Sequence, residues 1–311
     1  MCVTMACRTE YRYSVMKKQL LLAILFLSQC VCSFAQEPGL FPAPNVVLEI
    51  KPSLTDPRIE NADTPHFVAY DPSNEQGKLL LFIPGTNGIA LRGPKDLFYT
   101  AVQQGYAVIN LSYINTPAIA RICKGDALVA NSDCAEEFRN RRVYGDTTFT
   151  LIDDKPYDAI VNRLTKLLEY LSENDKNLDW GRYLENGEPK WSEIALAGQS
   201  QGGGMSAFIA KDHVVARVID FSGGWDYSAK GKIAKWYFKD SKTPLDRWYG
   251  TYHVEEPTAA TIIETYKAMN IPEDHIYAFD LEVPEGKRAH SNGVRNTGYR
   301  AQWIELLGKG N

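Results

Sequence analysis

Residues 194–204 read Ile-Ala-Leu-Ala-Gly-Gln-Ser-Gln-Gly-Gly-Gly. An apolar run, Ile194 to Ala197, leads into Gly198-Gln199-Ser200-Gln201-Gly202, and a helix-like stretch holding Met205, Ala207, Phe208, Ile209 and Ala210 leads out. A serine with glycine two residues before and two after suits a sharp strand-to-helix turn. Backbone strain at such a turn is tolerable only where the flanking positions lack bulk. The turn lifts the hydroxyl above the sheet and aims a helix N-terminus at whatever the serine meets. The five-residue pattern is weak alone; the strand before it and the helix after it supply the specificity.

Working outward, the same alternation recurs on both sides. Leu79 to Ile83 is a continuous apolar run stopped by Pro84-Gly85, as expected for a strand buried on both faces. Ala107 to Leu111 reads the same way, and Phe67 to Tyr70 is a shorter strand. After Ser200, the segments Val215 to Phe221, Trp248 to His253 and Ile276 to Leu281 read as strands. Helical spacing appears at Leu97-Phe98-Ala101-Val102, over Ala159 to Leu171, over Thr258 to Met269 and over Tyr299 to Leu307. Strands alternating with helices predict an α/β fold, a mostly parallel central sheet flanked by helices. Two segments break the alternation: 114–155, which holds Cys123 and Cys134, and 224–246, which is rich in aromatic residues. Both read as insertions in one domain spanning 36–311, whose first residues, 36–65, form an extended lead-in.

The N-terminus has its own pattern. Lys17 and Lys18 precede the apolar run Leu20 to Leu27, and Ser33-Phe34-Ala35 supplies small residues at a cleavage site. This is the layout of a signal peptide over 1–35, with translation expected to start at Met16 and export to a secreted or periplasmic location. The apolar run is too short for a stable membrane span. Cleavage after Ala35 leaves 276 of the 311 residues and moves the net charge from −4 to −7, because Arg8, Arg12, Lys17 and Lys18 leave with Glu10. With 34 basic residues against 38 acidic ones and no dense basic run, the chain is no nucleic-acid binder. Of six cysteines only Cys123 and Cys134 remain, which in an oxidising compartment read as one disulfide. No cysteine or histidine pair has the spacing of a zinc site, so no metal is expected.

With these motifs in place, the sequence resembles the α/β-hydrolase superfamily from about Phe67 to Leu307. It also looks like a group of secreted bacterial hydrolases that combine a Pro-Gly-Thr segment with Gly-x-Ser-Gln-Gly-Gly. The resemblance implies the α/β-hydrolase fold and a catalytic order of nucleophile, acid and histidine, each after a strand end. Ser200 is the implied nucleophile. His290, in the loop Arg288 to Gly293 after the last strand, is the implied base, and His253 at the end of the preceding strand is its rival. For the acid, Glu256 lies after the penultimate strand, just before Pro257, which marks a helix start. Asp226 and Glu255 are the alternatives. The oxyanion donors implied are the backbone N–H groups of Gln201 and of Thr86, in Pro84-Gly85-Thr86-Asn87-Gly88.

The chemistry implied is attack of Ser200 on a carbonyl carbon, an acyl-enzyme, and release by water, with no cofactor. A carboxylic ester, small or polymeric, is the expected substrate, with Trp225, Trp236 and Tyr237 as candidate walls of an apolar pocket. An acyltransferase or peptidase could run on the same triad, and a non-catalytic secreted binding protein could be built on the same scaffold.

Overall fold

The computed structural model describes residues 43–308. Segment 1–35, expected above to be a signal peptide, with Met16 and the run Leu20 to Leu27, lies outside the described residues. Among the described residues, no helix is long and apolar enough to cross a membrane.

An eight-stranded sheet forms the centre. Its strands are β1 (Val46–Ile50), β2 (His66–Tyr70), β3 (Lys78–Ile83), β4 (Tyr106–Asn110), β5 (Ile194–Gln199), β6 (Arg217–Phe221), β7 (Trp248–His253) and β8 (Ile276–Phe279). They lie in the order β1-β2-β4-β3-β5-β6-β7-β8. β1 pairs antiparallel with β2, and β2 antiparallel with β4. Every pairing from β4 across to β8 is parallel. The mostly parallel sheet expected from the sequence is therefore present, with an antiparallel edge.

The central strands are apolar throughout because both faces are covered. In β3, Leu79, Leu81 and Ile83 join one core, while Leu80 and Phe82 join another. The first core is closed by helices α2 (Cys134–Tyr144), α3 (Ile160–Asn174), α4 (Gln201–Asp212) and α5 (Ala259–Ala268). The second is closed by α1 (Lys95–Gln103), α6 (Ala289–Arg295) and α7 (Arg300–Leu307). In α3, Leu164, Leu167, Leu168 and Leu171 are all buried, the helical period placing them on one face.

The two segments that break the alternation are built differently from the sheet. The first contains two short helices, Ile119–Ile122 and Gly125–Ala130, and then α2. A disulfide joins Cys123 to Cys134. Buried ion pairs Arg142–Asp154 and Arg163–Asp158 fasten the end of this segment and the start of α3. The second contains a two-stranded hairpin, Tyr227–Ala229 with Lys232–Ile233. The helix Gly125–Ala130 packs on that hairpin. Lys235 pairs with Asp133 at 3.0 Å, and Lys239 with Glu136, across the exposed rim. Arg139 pairs with Asp226 at 2.7 Å in the interior. The two segments thus form one joined structure over the carboxyl ends of the strands.

Several boundaries differ from the sequence reading. Pro257 is not in the first helical turn, since α5 begins at Ala259 and Glu256 sits in the turn ahead of it. His290 lies in the short helix α6 and not in a loop, the coil being held by Trp303 Nε1 donating to the Gly293 carbonyl at 2.7 Å. His275 is in a 3-10 turn before β8.

Candidate active site

Strand β5 ends at Gln199 and α4 starts at Gln201, so Ser200 is the entire turn. Its backbone is at φ 59° and ψ −126°, a left-handed conformation costly for a residue with a side chain. The turn is held by the Ser200 N–H donating to the Phe221 carbonyl at 2.9 Å and by Gly204 N–H donating to the Ser200 carbonyl at 3.2 Å. The two glycines are sterically required. A side-chain carbon at Gly198 would collide with the Gly202 backbone, and one at Gly202 with the Ile83 carbonyl. The β5–α4 turn can close only because Gly198 is bare, and β3 can approach α4 only because Gly202 is.

His290 is 29% exposed on its side chain, and Glu256 is wholly buried beside it. The His290 Nδ1–H donates to Glu256 Oε2 at 2.6 Å. That bond leaves Nε2 as the acceptor nitrogen of the neutral ring. The other carboxylate oxygen of Glu256 accepts from Ser222 Oγ at 2.5 Å and from the His253 N–H at 2.8 Å. Burial opposes the negative charge on Glu256, but the hydrogen bonds from His290, Ser222 and the His253 amide outweigh it. Its carboxyl is held below the usual glutamate range. Gln199 Nε2 donates to the His290 carbonyl at 2.9 Å, tying the histidine's backbone to the residue before Ser200. The Trp225 ring meets the His290 ring edge-on, with centroids 5.2 Å apart.

The other acid candidates are placed elsewhere. Glu255 is exposed. Asp226 is buried, and its Oδ2 accepts from Arg139 Nε at 2.7 Å and Trp236 Nε1 at 2.9 Å. The rival base His253 is also committed to structure. Its Nδ1 accepts from the Glu255 amide at 3.2 Å, which puts its proton on Nε2 facing the Leu281 carbonyl at 2.9 Å.

Thr86 and Gln201 line one small cavity with Ser200, Gly224 and Trp225, of about 50 Å³. The loop that carries Thr86 is braced on both sides. Tyr113 Oη donates to the Pro84 carbonyl at 2.8 Å, and Asn115 Nδ2 donates to the Gly88 carbonyl at 2.7 Å. The Gln201 side chain reaches the same strap: its Nε2 donates to the Asn115 carbonyl at 3.0 Å and its Oε1 accepts from the Ile119 amide at 2.9 Å.

Of the three aromatic candidates, Trp225 alone lines this cavity. Trp236 and Tyr237 are fully buried, their rings 3.9 Å apart at the centroids, and neither lines a cavity beside Ser200. The expectation that they wall a pocket is corrected. They pack around the buried pair, with the Arg139 guanidinium 5.0 Å from the Trp236 ring and the Tyr237 hydroxyl accepting from the Asp226 amide at 3.1 Å. Sequence reasoning missed Ser222, Asn115 and Arg139. Ser222 had one available signal, since Phe221-Ser222-Gly223-Gly224 places a hydroxyl and two glycines at the carboxyl end of a strand. Among the described residues no group of three or more His, Cys, Asp or Glu could hold a metal ion.

No family model and no curated protein matches the chain. Solved structures similar to it include a hormone-sensitive lipase from a metagenome library, at 14% identity and TM-score 0.45, covering 86% of each chain. An S-formylglutathione hydrolase from Staphylococcus aureus is 12% identical with TM-score 0.44, covering 87% of this chain and all of that one. A dienelactone hydrolase from Anabaena variabilis is 12% identical with TM-score 0.42, covering 84% and 95%. At these values the likenesses carry no weight for activity or substrate. The strand order, the antiparallel edge and the strand–serine–helix turn are this chain's own, and with them the described residues adopt the α/β-hydrolase fold.

Proposed function

We propose that the protein is an exported serine hydrolase that cleaves carboxylic esters, with Ser200 as nucleophile, His290 as general base and Glu256 as the acid that orients it. The observation that carries this reading is the 2.6 Å bond from His290 Nδ1 to a buried, triply hydrogen-bonded Glu256, beside a serine in a strained turn. His290 Nε2 takes the Ser200 proton as the hydroxyl attacks the ester carbonyl, then returns a proton to the leaving alcohol. The Glu256 carboxylate keeps the ring in the tautomer with Nε2 free and stabilises the imidazolium. The amides of Thr86 and Gln201 receive the developing oxyanion; each such donor typically accounts for about 3–4 kcal/mol of barrier lowering. Water then attacks the acyl-enzyme, His290 acting as base again. The Cys123–Cys134 disulfide supports a secreted or periplasmic setting.

The test is labelling with a fluorophosphonate together with turnover of p-nitrophenyl acetate. Wild type is expected to label at Ser200 and to turn the ester over, and Ser200→Ala to do neither. Equal labelling of both proteins would falsify the assignment. Acyl transfer to an added alcohol exceeding hydrolysis would favour the acyltransferase alternative.

A further inference from the structure

We infer that the ester cleaved carries a large apolar group, and that this group lies in a cleft built by the two inserted segments. The inference rests on the reading of Ser200 as nucleophile and adds a substrate class to it. The small cavity at Ser200 is not closed at its outer end. It shares Ile119, Ala120, Trp225 and Asp226 with a neighbouring cleft of about 890 Å³. That volume is near the upper end of what drug-sized ligands occupy, far beyond what an acetyl group needs.

The lining is mostly apolar, with Lys124 and Lys230 as its cations. Ile119, Ala120, Leu128, Val129, Ala135 and Trp225 form its apolar surface. The one acid on it, Asp226, is already neutralised by Arg139. Val129 is 87% exposed, on a helix with no buried residues. An exposed aliphatic side chain costs little alone, but here it extends an apolar surface that runs inward to the nucleophile. Trp225 stands at the junction, against His290 on one side and the cleft on the other. A group attached to an ester held at Ser200 enters the cleft past Trp225, where the charges it meets, Arg139 and Asp226, are already paired with each other.

The wall is also fixed in place. Cys123 lines the cleft and is bonded to Cys134 at the start of α2, so the short helix between them, Gly125–Ala130, is pinned at both ends. The opposite wall is the hairpin of residues 227–233, anchored at its base by the buried Arg139–Asp226 pair. A pinned wall loses less entropy on binding an apolar group than a mobile one does.

The apolar group belongs to the acyl or to the alcohol half of the ester, and two substrate series separate these. One series lengthens the acyl chain of p-nitrophenyl esters from acetate to dodecanoate. The other keeps acetate and enlarges an aliphatic alcohol. Each methylene entering the cleft is expected to raise kcat/KM about fourfold in one of the two series until the cleft fills. Leu128→Asp, on a helix with no buried residues, is expected to lower the ratio of long-ester to short-ester kcat/KM about tenfold. Binding of the same esters to Ser200→Ala, measured by calorimetry, gives a readout that needs no turnover. Flat length dependence in both series, or a ratio untouched by Leu128→Asp, overturns the cleft assignment and leaves the esterase reading standing. Length-dependent binding with no turnover by wild type overturns the esterase reading and leaves the cleft as an apolar-ligand site.

Discussion

Two buried carboxylates stand after strand ends near the Ser200 turn, and their surroundings differ in one respect. Glu256 accepts from Ser222, the His253 amide and His290; Asp226 accepts from Arg139 and Trp236. Both are satisfied, as buried polar groups must be. The difference lies in the cation. His290 is an imidazole, able to hold or give up a proton, and is partly exposed, whereas Arg139 is permanently charged and buried. A carboxylate bonded to a titratable ring is equipped to assist proton transfer. One bonded to a guanidinium is equipped to hold two segments together.

The comparison can be broken most directly at Glu256. Glu256→Gln keeps the shape but removes the charge that fixes the His290 tautomer, and kcat is expected to fall about 10⁴-fold with the melting temperature little changed. A kcat near wild type would show that the two acids are not distinguished as described. The converse substitution, Asp226→Ala, strands a buried guanidinium and is expected to cost about 3–5 kcal/mol of stability in chemical unfolding. Its folded fraction should still label with fluorophosphonate, and loss of labelling in folded protein would place Asp226 in the chemistry. Ser222→Ala removes one donor from Glu256 while leaving the charge, so kcat should drop about tenfold. No change would mean that the His253 amide and His290 suffice.

A third acid sharpens the point through stability alone. Asp220, near the end of β6, is fully buried, and no side chain donates a hydrogen bond to its carboxyl oxygens. Burial pushes its pKa up to about 8, against the partial opposition of Arg139. Between about pH 4 and pH 8 the folded protein therefore keeps a proton that the unfolded chain has released, and stability falls as pH rises through that window. Asp220→Asn removes this proton linkage. Relative to wild type, the variant should gain at most about 1.4 kcal/mol per pH unit across the window, read from urea unfolding at pH 5, 6 and 7. Parallel pH dependence in the two proteins would contradict a proton held on Asp220.

The sheet was legible in the sequence because buried parallel strands announce themselves. Leu79 to Ile83 and Ile194 to Ala197 are apolar at every position, and each ends at glycine or proline. The turn at Ser200 was legible for the same local reason. What was not legible depended on partners far along the chain. Trp236 and Tyr237 look like pocket walls in sequence, yet they surround an ion pair whose arginine lies about a hundred residues earlier. Ser222 reaches Glu256 across 34 residues and Asn115 reaches the Gln201 side chain across 86. Neither separation leaves a trace in spacing or period. The helix around His290 was missed because its seven residues, with Asn292 and Gly293 inside, have weak helix propensity and are held by Trp303 donating to the Gly293 carbonyl at 2.7 Å.

Gln201 occupies the place that the nucleophile motif leaves open to any residue, yet here its side chain is fully used. One end receives the amide of Ile119, where the cleft wall begins, and the other holds the Asn115 carbonyl. Its own amide is the oxyanion donor proposed above. One residue is therefore a hinge between the surface that sorts substrates and the atom that senses developing charge. The wall and that amide thus share one residue, which couples fit in the cleft to speed of the proposed bond-breaking step. An engineer who reshapes the wall to admit a new group should expect the turnover rate to shift with it.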